Sequence, residues 1–196
     1  LLFTTTDCFY KTVDKNWNND GQEEKLRAKG ELFESHGMEF VDFGTRRRRS
    51  YESQDRVVNV LSKFNGFLGT SNVHLAMKYG VRPIGTMSHQ WIMGISGMEC
   101  LKHANREAFN RWLKIYPCNS GLALPDTFGT EAFFADFDEF MARMFDGLRH
   151  DSNDGNQFAE NVVNFYRGLS IDPAKKKIAF SDGLNPEKAV EYYKTA

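Results

Sequence analysis

Cysteine is scarce in this sequence of 196 residues, and the three that occur are widely spaced. Cys8, Cys100 and Cys118 form no Cys-x-x-Cys pair, which argues against both a structural zinc site and a disulfide framework. We therefore expect a reducing, cytoplasmic compartment. Long apolar runs are missing as well, since none approaches the ~18 residues that a membrane-spanning helix needs, and no membrane partner is expected.

Excess charge and the common nucleotide-binding signatures are also absent. Lys and Arg number 25 against 26 Asp and Glu, so electrostatics gives no reason to expect a nucleic-acid partner. No Gly-x-Gly-x-x-Gly or Walker loop is present. The composition, 41% apolar and 14% aromatic, is that of a globular domain. Because the chain lacks an initiator Met and stops within a helical pattern, we expect residues 1–196 to be one portion of a longer protein.

Short apolar segments alternate with segments of helical periodicity, and no β-hairpin signal separates them. Strands connected in this way run parallel, through right-handed helical crossovers. Ser50, Asn72 and Asn185 are predicted N-caps, and residues 14–29 are polar enough for a solvated helix or loop. The predicted strands cover 38–43, 65–70, 81–87, 121–124, 144–148 and 177–180, and the predicted helices cover 51–63, 72–79, 99–115, 130–141, 156–168 and the residues after 185.

Side chains capable of chemistry follow nearly every predicted strand. Six strand–helix units fit either an open doubly wound sheet or a barrel, but an open sheet collects its ligands at one switch point, whereas a barrel uses the ends of many strands. We therefore predict an α/β fold of the irregular or incomplete (β/α) TIM-like barrel kind, formed by a single domain over residues 1–196.

His89 is the first candidate for catalysis. It lies in the segment Gly-Thr-Met-Ser-His-Gln-Trp, and the pattern predicts a loop there, just past the strand over 81–87. An imidazole titrates near neutral pH and is nucleophilic, so it could act as a general base or as a phosphoryl acceptor. The alternative is that His89 has only a structural role, as any single histidine can.

Four arginines, Arg46 to Arg49, directly follow the strand predicted over 38–43. Neighbouring side chains diverge in any regular backbone, so at most two of the four can face one site. An arginine at a strand end can bind phosphate or carboxylate oxygens with its planar fork. The alternatives are a solvated basic turn and a nucleic-acid patch.

Three further turns carry carboxylates beside small or cationic residues. Asp126 follows the strand over 121–124. Taken alone, an aspartate in this position is more often the N-cap of the following helix than a functional residue. The other two turns are Arg149-His-Asp-Ser152 and Ser181-Asp-Gly183. In the former, Asp151 could bind sugar hydroxyls or a hydrated Mg²⁺. The set suits a phosphorylated sugar, and the sequence contains neither a Ser-His-Asp arrangement nor a recognisable metal-ligand cluster.

Five segments occur in the order that is typical of one enzyme family, and the resemblance covers nearly the whole chain. The sequence resembles nicotinate phosphoribosyltransferase, and the resemblance implies a type II phosphoribosyltransferase fold. It also implies ATP-coupled transfer of phosphoribosyl from 5-phosphoribosyl 1-pyrophosphate (PRPP) to nicotinate, with Mg²⁺ and a phosphohistidine, in homodimers with shared active sites. The segments are Asp42-Phe-Gly-Thr-Arg-Arg-Arg48, Gly69-Thr-Ser-Asn-Val73, Gly85-Thr-Met-Ser-His-Gln-Trp91, Gly147-Leu-Arg-His-Asp-Ser152 and Phe180-Ser-Asp-Gly-Leu184.

The resemblance also implies roles for individual residues. His89, as the phosphorylated histidine, and the carboxylates of Asp151 and Asp182 would be catalytic. Phe43 would stack on the pyridine ring, with Arg46 beside it near a carboxylate or phosphate. The remaining expected substrate-binding residues are Ser71, Asp126, Arg149, Ser152, Ser181 and Gly183. No protein ligand to a resident metal ion is assigned.

Two alternatives remain beside this function. One is a nicotinamide-using relative of the same fold, and the other is an incomplete barrel that only binds or dimerises. The chain lacks the amino-terminal aromatic segment and the later glycine-rich phosphate turn of the family, so we expect it to be inactive alone. It also departs from the family's Ser-Gly-Asp-Pro pattern, with Ser-Asn-Asp-Gly at residues 152–155.

Overall fold

The computed structural model describes residues 8–10, 12–13, 16–99, 101–117 and 120–196. The chain divides into two compact units, Leu1–Gly85 and Thr86–Ala196, here called unit 1 and unit 2. Within the described part of the chain, no helix is both long and apolar enough to cross a membrane.

Unit 1 contains a parallel three-stranded sheet with strand order β1-β2-β3, connected by helices. Val58 and Leu75, from two of these helices, are fully buried against Phe67 of the sheet. The strands are β1 (Phe40–Asp42), β2 (Phe67–Thr70) and β3 (Arg82–Pro83), and the helices are α1 (Gln22–Ser35), α2 (Tyr51–Leu61) and α3 (Val73–Tyr79).

Local capping chemistry sets the ends of the unit 1 helices. The Ser50 hydroxyl accepts a hydrogen bond from the Ser53 amide at the start of α2, and the Asn72 side chain accepts one from the Leu75 amide at the start of α3. Gly80, with φ of 64°, ends α3 in the left-handed region. The predicted strands over 38–43 and 65–70 and the predicted helices over 51–63 and 72–79 are confirmed.

Unit 2 contains a second parallel sheet, with strand order β4-β5-β6. In the described part of unit 2, six helices and a short 3₁₀ turn, Pro173–Lys175, accompany this sheet. The strands are β4 (Leu122–Ala123), β5 (Gly147–His150) and β6 (Lys177–Phe180). The helices are α4 (His89–Met98), α5 (Ala104–Ile115), α6 (Thr130–Asp136), α7 (Glu139–Met144), α8 (Gly155–Gly168) and α9 (Pro186–Thr195).

Aromatic side chains fill the core of unit 2. Phe109, Phe133, Phe137 and Phe145 are all essentially inaccessible to solvent. Phe133 and Phe137 stack with ring centroids 4.6 Å apart, and Phe109 meets both edge-on at 5.6 Å. Such offset and edge-to-face contacts add to the large apolar area that each ring buries. The helices of unit 2 are thereby fixed against one another.

Four boundary predictions and the placement of His89 in a loop are wrong. The strand expected over 144–148 lies at Gly147–His150, because Met144 still belongs to α7. The strand expected over 81–87 is limited to Arg82–Pro83, and His89 is not in a loop but begins α4. The helix expected over 99–115 begins only at Ala104. The helix expected over 130–141 is two helices, because the Asp138 carboxylate caps α7 by accepting from the Met141 amide.

The α/β class with parallel strands is confirmed. Helices connect successive strands of each sheet, as the alternating pattern predicted. Among the described residues the strands form two three-stranded sheets rather than one closed ring. The TIM-like barrel therefore stays a prediction.

Candidate active site

Asp151 and Ser181 meet because β5 and β6 pair in parallel register. His150 is aligned with Phe180, so Asp151 and Ser181 are the first residues beyond the two strands. The Ser181 amide donates to the His150 carbonyl at 2.9 Å, extending the ladder by one step. The Ser181 hydroxyl lies 2.7 Å from Asp151 Oδ1 and 2.7 Å from the His150 carbonyl oxygen, and its single proton can go to only one of them.

Arg149 connects three segments through its guanidinium. Its Nη2 lies 2.8 Å from Asp151 Oδ1, its Nε donates to the Ser181 hydroxyl at 2.8 Å, and its Nη1 donates to the Thr86 hydroxyl at 3.0 Å. A planar fork of donors can hold three partners in fixed directions, which an ammonium group cannot do. Because Arg149 and Ser181 both contact Oδ1, the second oxygen of Asp151 remains for the histidine side of the site.

His89 lies between two carboxylates. Its Nε2 is 3.0 Å from Asp126 Oδ1 and 3.6 Å from Asp151 Oδ2. The histidine side chain is 34% exposed and the two carboxylates are 14% and 12% exposed, so the pair contacts are screened less than surface contacts. The first turns of α4 hold His89 in place, since Ile92 is fully buried in the core of unit 2.

A tight turn over residues 151–154 connects β5 to α8. The His150 ring is buried, and its Nε2 lies 3.2 Å from the Asn153 carbonyl oxygen. Asn153 has a φ of 70°, in the left-handed region that Asn tolerates better than most residues. The Asp154 carboxylate accepts from the Gln157 amide at 2.9 Å and so caps α8. The turn is therefore held at both ends.

A cavity of about 210 Å³ opens beside this turn. Polar side chains from the segments after β4 and β5 and from the start of α8 line it, together with Pro125 and Phe158. Its lining residues are Pro125, Asp126, Thr130, Asp151, Ser152, Asn153, Asp154, Gln157, Phe158 and Asn161. The cavity thus has the carboxylates and hydroxyls that a sugar ligand requires.

His89, Asp126 and Asp151 could also hold a metal ion, since one ligand atom from each lies within 4.8 Å of the others. Sequence spacing gave no sign of this cluster, because its members come from three distant segments. Mg²⁺ prefers oxygen ligands, so the two carboxylates fit it, whereas an imidazole is an unusual ligand. The same Nε2 cannot bind a cation while it donates a proton to Asp126. The two carboxylates are therefore the better ligands for a metal ion, and the histidine is better suited to donate its hydrogen bond to Asp126.

The candidate base-binding residues belong to unit 1. Phe43 is 41% exposed in the turn after β1, and Arg46 is exposed in the 3₁₀ turn Thr45–Arg47. Ser71 follows β2, and its amide donates to the Asp42 carbonyl at 2.8 Å. Phe43 and Ser71 are therefore each the first residue beyond neighbouring parallel strands.

The four consecutive arginines diverge, as predicted. Arg49 lies over the Trp17 and Tyr10 rings, with its guanidinium carbon 4.3 Å and 4.8 Å from their centroids. The Arg48 Nη1 donates to Gln54 Oε1 at 3.3 Å. Arg46 and Arg47 remain exposed. Two of the four arginines therefore have structural contacts within unit 1, and Arg46 is one of the two whose side chains are open to an incoming anion.

Comparisons with known proteins identify the family of this chain. Residues 38–196 match the model of the nicotinate phosphoribosyltransferase (NAPRTase) family. This chain belongs to that family. Nicotinate phosphoribosyltransferase of Methanosarcina acetivorans is 43% identical, over 99% of this chain and 52% of the relative, and that of Saccharomyces cerevisiae is 38% identical, over 98% and 48%.

A solved structure of a family member is also similar. Nicotinate phosphoribosyltransferase from Porphyromonas gingivalis superposes with a TM-score of 0.94 at 39% identity, over 99% of this chain and 50% of that one. The chain spans about half the length of the curated relatives it matches.

The structure brings together five of the predicted site residues of this family member, namely His89, Asp126, Arg149, Asp151 and Ser181. Ser152 lines the adjacent cavity. Asp182 and Gly183 lie exposed in the turn after β6, and among the described residues no hydrogen bond or ion pair joins either of them to the His89 cluster. Sequence reasoning missed Thr86 as a partner of Arg149. Its position in the Gly-Thr pair before His89 was the available signal.

Proposed function

We propose that the protein containing this chain is a nicotinate phosphoribosyltransferase. It would transfer phosphoribosyl from PRPP to nicotinate, forming nicotinate mononucleotide and pyrophosphate for NAD salvage, with coupled ATP hydrolysis. The observation that carries the proposal is the convergence of His89, Asp126, Asp151, Arg149 and Ser181 beside one polar cavity, in a member of this family.

The cavity residues suit the phosphoribosyl group. Cleavage of the bond between C1 of the sugar and pyrophosphate develops positive charge on the ribose, which nearby carboxylates stabilise. Asp151 offers such a carboxylate, and its orientation is fixed by Arg149 and Ser181. Ser152 and Asp182 would contribute further sugar contacts, and the left-handed Gly183 (φ 55°) would let backbone amides approach a phosphate.

His89 would accept a phosphoryl group from ATP. When Nε2–H donates to Asp126, the other ring nitrogen, Nδ1, keeps its lone pair and can attack the γ-phosphorus. The new N–P bond forms as the bond to the leaving ADP oxygen breaks, and Asp126 stabilises the positive charge on the ring. Later hydrolysis of the N–P bond returns the free histidine and phosphate.

Mg²⁺ and ATP are the cofactors that this proposal requires. Asp126 and Asp151 are the residues that would hold Mg²⁺, because their carboxylates approach each other around His89. When bound, Mg²⁺ supplies positive charge that stabilises a departing pyrophosphate. Arg149 remains bound to Asp151 in this arrangement and keeps that carboxylate oriented.

Phe43, Arg46 and Ser71 would recognise nicotinate. The exposed Phe43 ring offers a stacking surface, and a guanidinium pairs with a carboxylate more strongly than with a neutral amide. The Arg46 position therefore favours nicotinate over nicotinamide as the substrate. A competition assay between the two bases separates these alternatives.

The rest of the protein would complete the site. The match to half of a longer solved structure supports an irregular barrel to which the other half contributes. We propose a homodimer in which both subunits contribute to each active site, and we expect residues 1–196 alone to be inactive. Turnover of nicotinate by the isolated 196 residues would contradict that expectation.

The decisive experiment measures intact mass after incubation of the full-length protein and its His89→Asn variant with Mg-ATP. We expect one acid-labile phosphate on the unmodified protein and none on the variant, together with nicotinate mononucleotide formation from PRPP. If the full-length protein forms no nicotinate mononucleotide, the proposed function is wrong. If it forms the product without a labile phosphate, only the role of His89 is wrong.

A further inference from the structure

The Gln54 side chain is buried beneath the turn that carries Phe43 and Arg46. The residue is only 2% exposed, yet its amide has partners on both sides. Its Nε2 donates to Asp42 Oδ2 at 2.8 Å and to the Thr45 hydroxyl at 2.9 Å. A buried amide with matched donors and acceptors is stabilising, whereas a buried amide with a lost partner is costly.

The acceptor side of the same amide holds two other segments. Gln54 Oε1 accepts from Arg48 Nη1 at 3.3 Å and from Asn72 Nδ2 at 3.1 Å. All four hydrogen-bonding positions of the amide are therefore used. One side chain thus connects the end of β1, the 3₁₀ turn, the arginine segment and the start of α3.

Asp42 fixes the orientation of this amide. Its Oδ1 accepts from the Gly44 amide at 2.9 Å, and its Oδ2 accepts from the Thr70 hydroxyl at 2.7 Å as well as from Gln54. An ionised carboxylate can only accept, so the NH₂ group of Gln54 must face Asp42 and its oxygen must face Arg48. The buried polar network is therefore satisfied in one orientation only.

The helix that carries Gln54 is itself anchored. Val58 lies one turn further along α2 and is fully buried in the apolar core of unit 1, with Leu61 beside it. The backbone of Gln54 is thus held by packing, and its amide is held by hydrogen bonds. Phe43 and Arg46 lie in the chain segment that Asp42, Thr45 and Arg48 bracket, so the network defines the path of that segment.

We infer that Gln54 is a positioning residue for nicotinate: it holds the Phe43–Arg46 turn in its binding conformation without contacting the ligand. This inference rests on the proposed function, because it assigns the base to that turn. Loss of the network would reduce the fraction of molecules in which the turn is correctly placed. The apparent affinity for the base would fall in proportion to that fraction. Because the network includes none of the residues around His89, we expect kcat to be unaffected once the base is bound.

Gln54→Glu in the full-length protein tests this inference. The substitution keeps the size of the side chain but replaces the donor with an acceptor facing Asp42. We expect the KM for nicotinate to rise about tenfold, while kcat and the KM for PRPP stay within about twofold. The matched control is Val58→Ala, which weakens the same helix without touching the network and should leave the KM for nicotinate unchanged.

Tryptic cleavage supplies a readout that does not depend on activity. The segment Arg46–Arg49 offers trypsin four sites within the turn, and we expect Gln54→Glu to be cut there faster than both the unmodified protein and Val58→Ala. If the unmodified protein does not use nicotinate, the proposed function fails, and this cleavage still tests the network.

A double substitution provides the rescue. In the double variant Asp42→Asn with Gln54→Glu, the amide and the carboxylate exchange places, so a donor again faces an acceptor. We expect the KM for nicotinate to fall back most of the way to the value of the unmodified protein. An unchanged KM in Gln54→Glu, an equal rise in Val58→Ala, or no recovery in the double variant would each overturn the inference.

Discussion

His89 Nε2 and Asp126 Oδ1 are 3.0 Å apart although 37 residues separate them in the chain. The histidine begins α4, and the aspartate follows β4, so the contact is made by the tertiary packing of unit 2. A carboxylate in this position sets the ring tautomer and stabilises the positive ring that a phosphoryl acceptor becomes.

Asp126→Asn should slow phosphate incorporation into His89 by about 10²-fold, because the amide keeps the shape but not the charge. The measurement is the rate of acid-labile phosphate gain from Mg-ATP in the full-length protein. His103 offers the matched control, since its Nδ1 lies 2.7 Å from Asp136 outside the site. The rate should be unchanged in His103→Asn. A normal rate in Asp126→Asn would refute the role of the carboxylate.

Arg149→Lys should weaken PRPP binding by tenfold or more, on the order of 1.4 kcal/mol. A lysine keeps the charge but cannot reach Asp151, Ser181 and Thr86 together, so Asp151 loses its fixed orientation. Calorimetric titration with PRPP measures the effect. Lys177→Arg, at an exposed position on the neighbouring strand, is the control and should bind normally. Equal PRPP affinity in Arg149→Lys would contradict the positioning of Asp151 described above.

Gly155→Ala should destabilise the protein by about 1–3 kcal/mol. A Cβ at this position would lie 2.5 Å from the Tyr192 ring, which is itself buried against His150 and Phe180. Gly168→Ala, at the other end of the same helix, has nothing within 4 Å of the new Cβ and should be neutral or slightly stabilising. Urea unfolding of the full-length variants compares the two. Equal midpoints would show that the Tyr192 ring moves aside at no cost.

The Asp55–Lys78 ion pair should stabilise the folded protein only within a limited pH range. Burial raises the pKa of Asp55, but hydrogen bonds from Lys78 and Tyr79 outweigh it and the net shift is downward. The hydrogen bond to Asp55 raises the pKa of Lys78. The carboxylate contribution is therefore lost as the pH falls below about 4 through the lowered pKa. The ammonium contribution is lost as the pH rises above about 10 through the raised one.

Comparison of the unfolding free energy of the unmodified protein with that of Asp55→Asn isolates this pair. The difference should be constant from about pH 5 to about pH 9 and should shrink at both extremes. Because the Lys78 side chain is 42% exposed, solvent screening keeps the difference small, and added salt should reduce it further. A difference that grows below pH 4 would have the wrong sign for this pairing.

Sequence reasoning succeeded where local chemistry decides the structure. Ser50, Asn72 and Asn185 each accept a backbone hydrogen bond at the predicted helix start, and Pro186 occupies the first turn of α9. The strand over 177–180 is confirmed at both ends. These helix starts and strand ends are determined within a few residues, by a short polar side chain before a helix or by an apolar run between two turns.

Prediction from the sequence failed where tertiary packing overrides the local propensity for helix or loop. Gly94 and Gly97 lower the helix propensity of α4, and the helix exists because Ile92 and Ile95 are buried against the rest of unit 2. No window around His89 could reveal this burial. The site shows the same limit, because each candidate residue was visible in its motif, whereas the distances from His89 to Asp126 and Asp151 depend on three separate segments.

The pairing of β5 with β6 restricts where this chain can gain or lose residues during evolution. Deletion of a single residue within β6 would bring Asp182 rather than Ser181 beside Asp151, so that two carboxylates would face each other where a hydroxyl now faces a carboxylate. The connection from α8 to β6, which runs over the surface through Pro173–Lys175, carries no such constraint. Length differences among related chains should therefore be found in that connection and not in the strand.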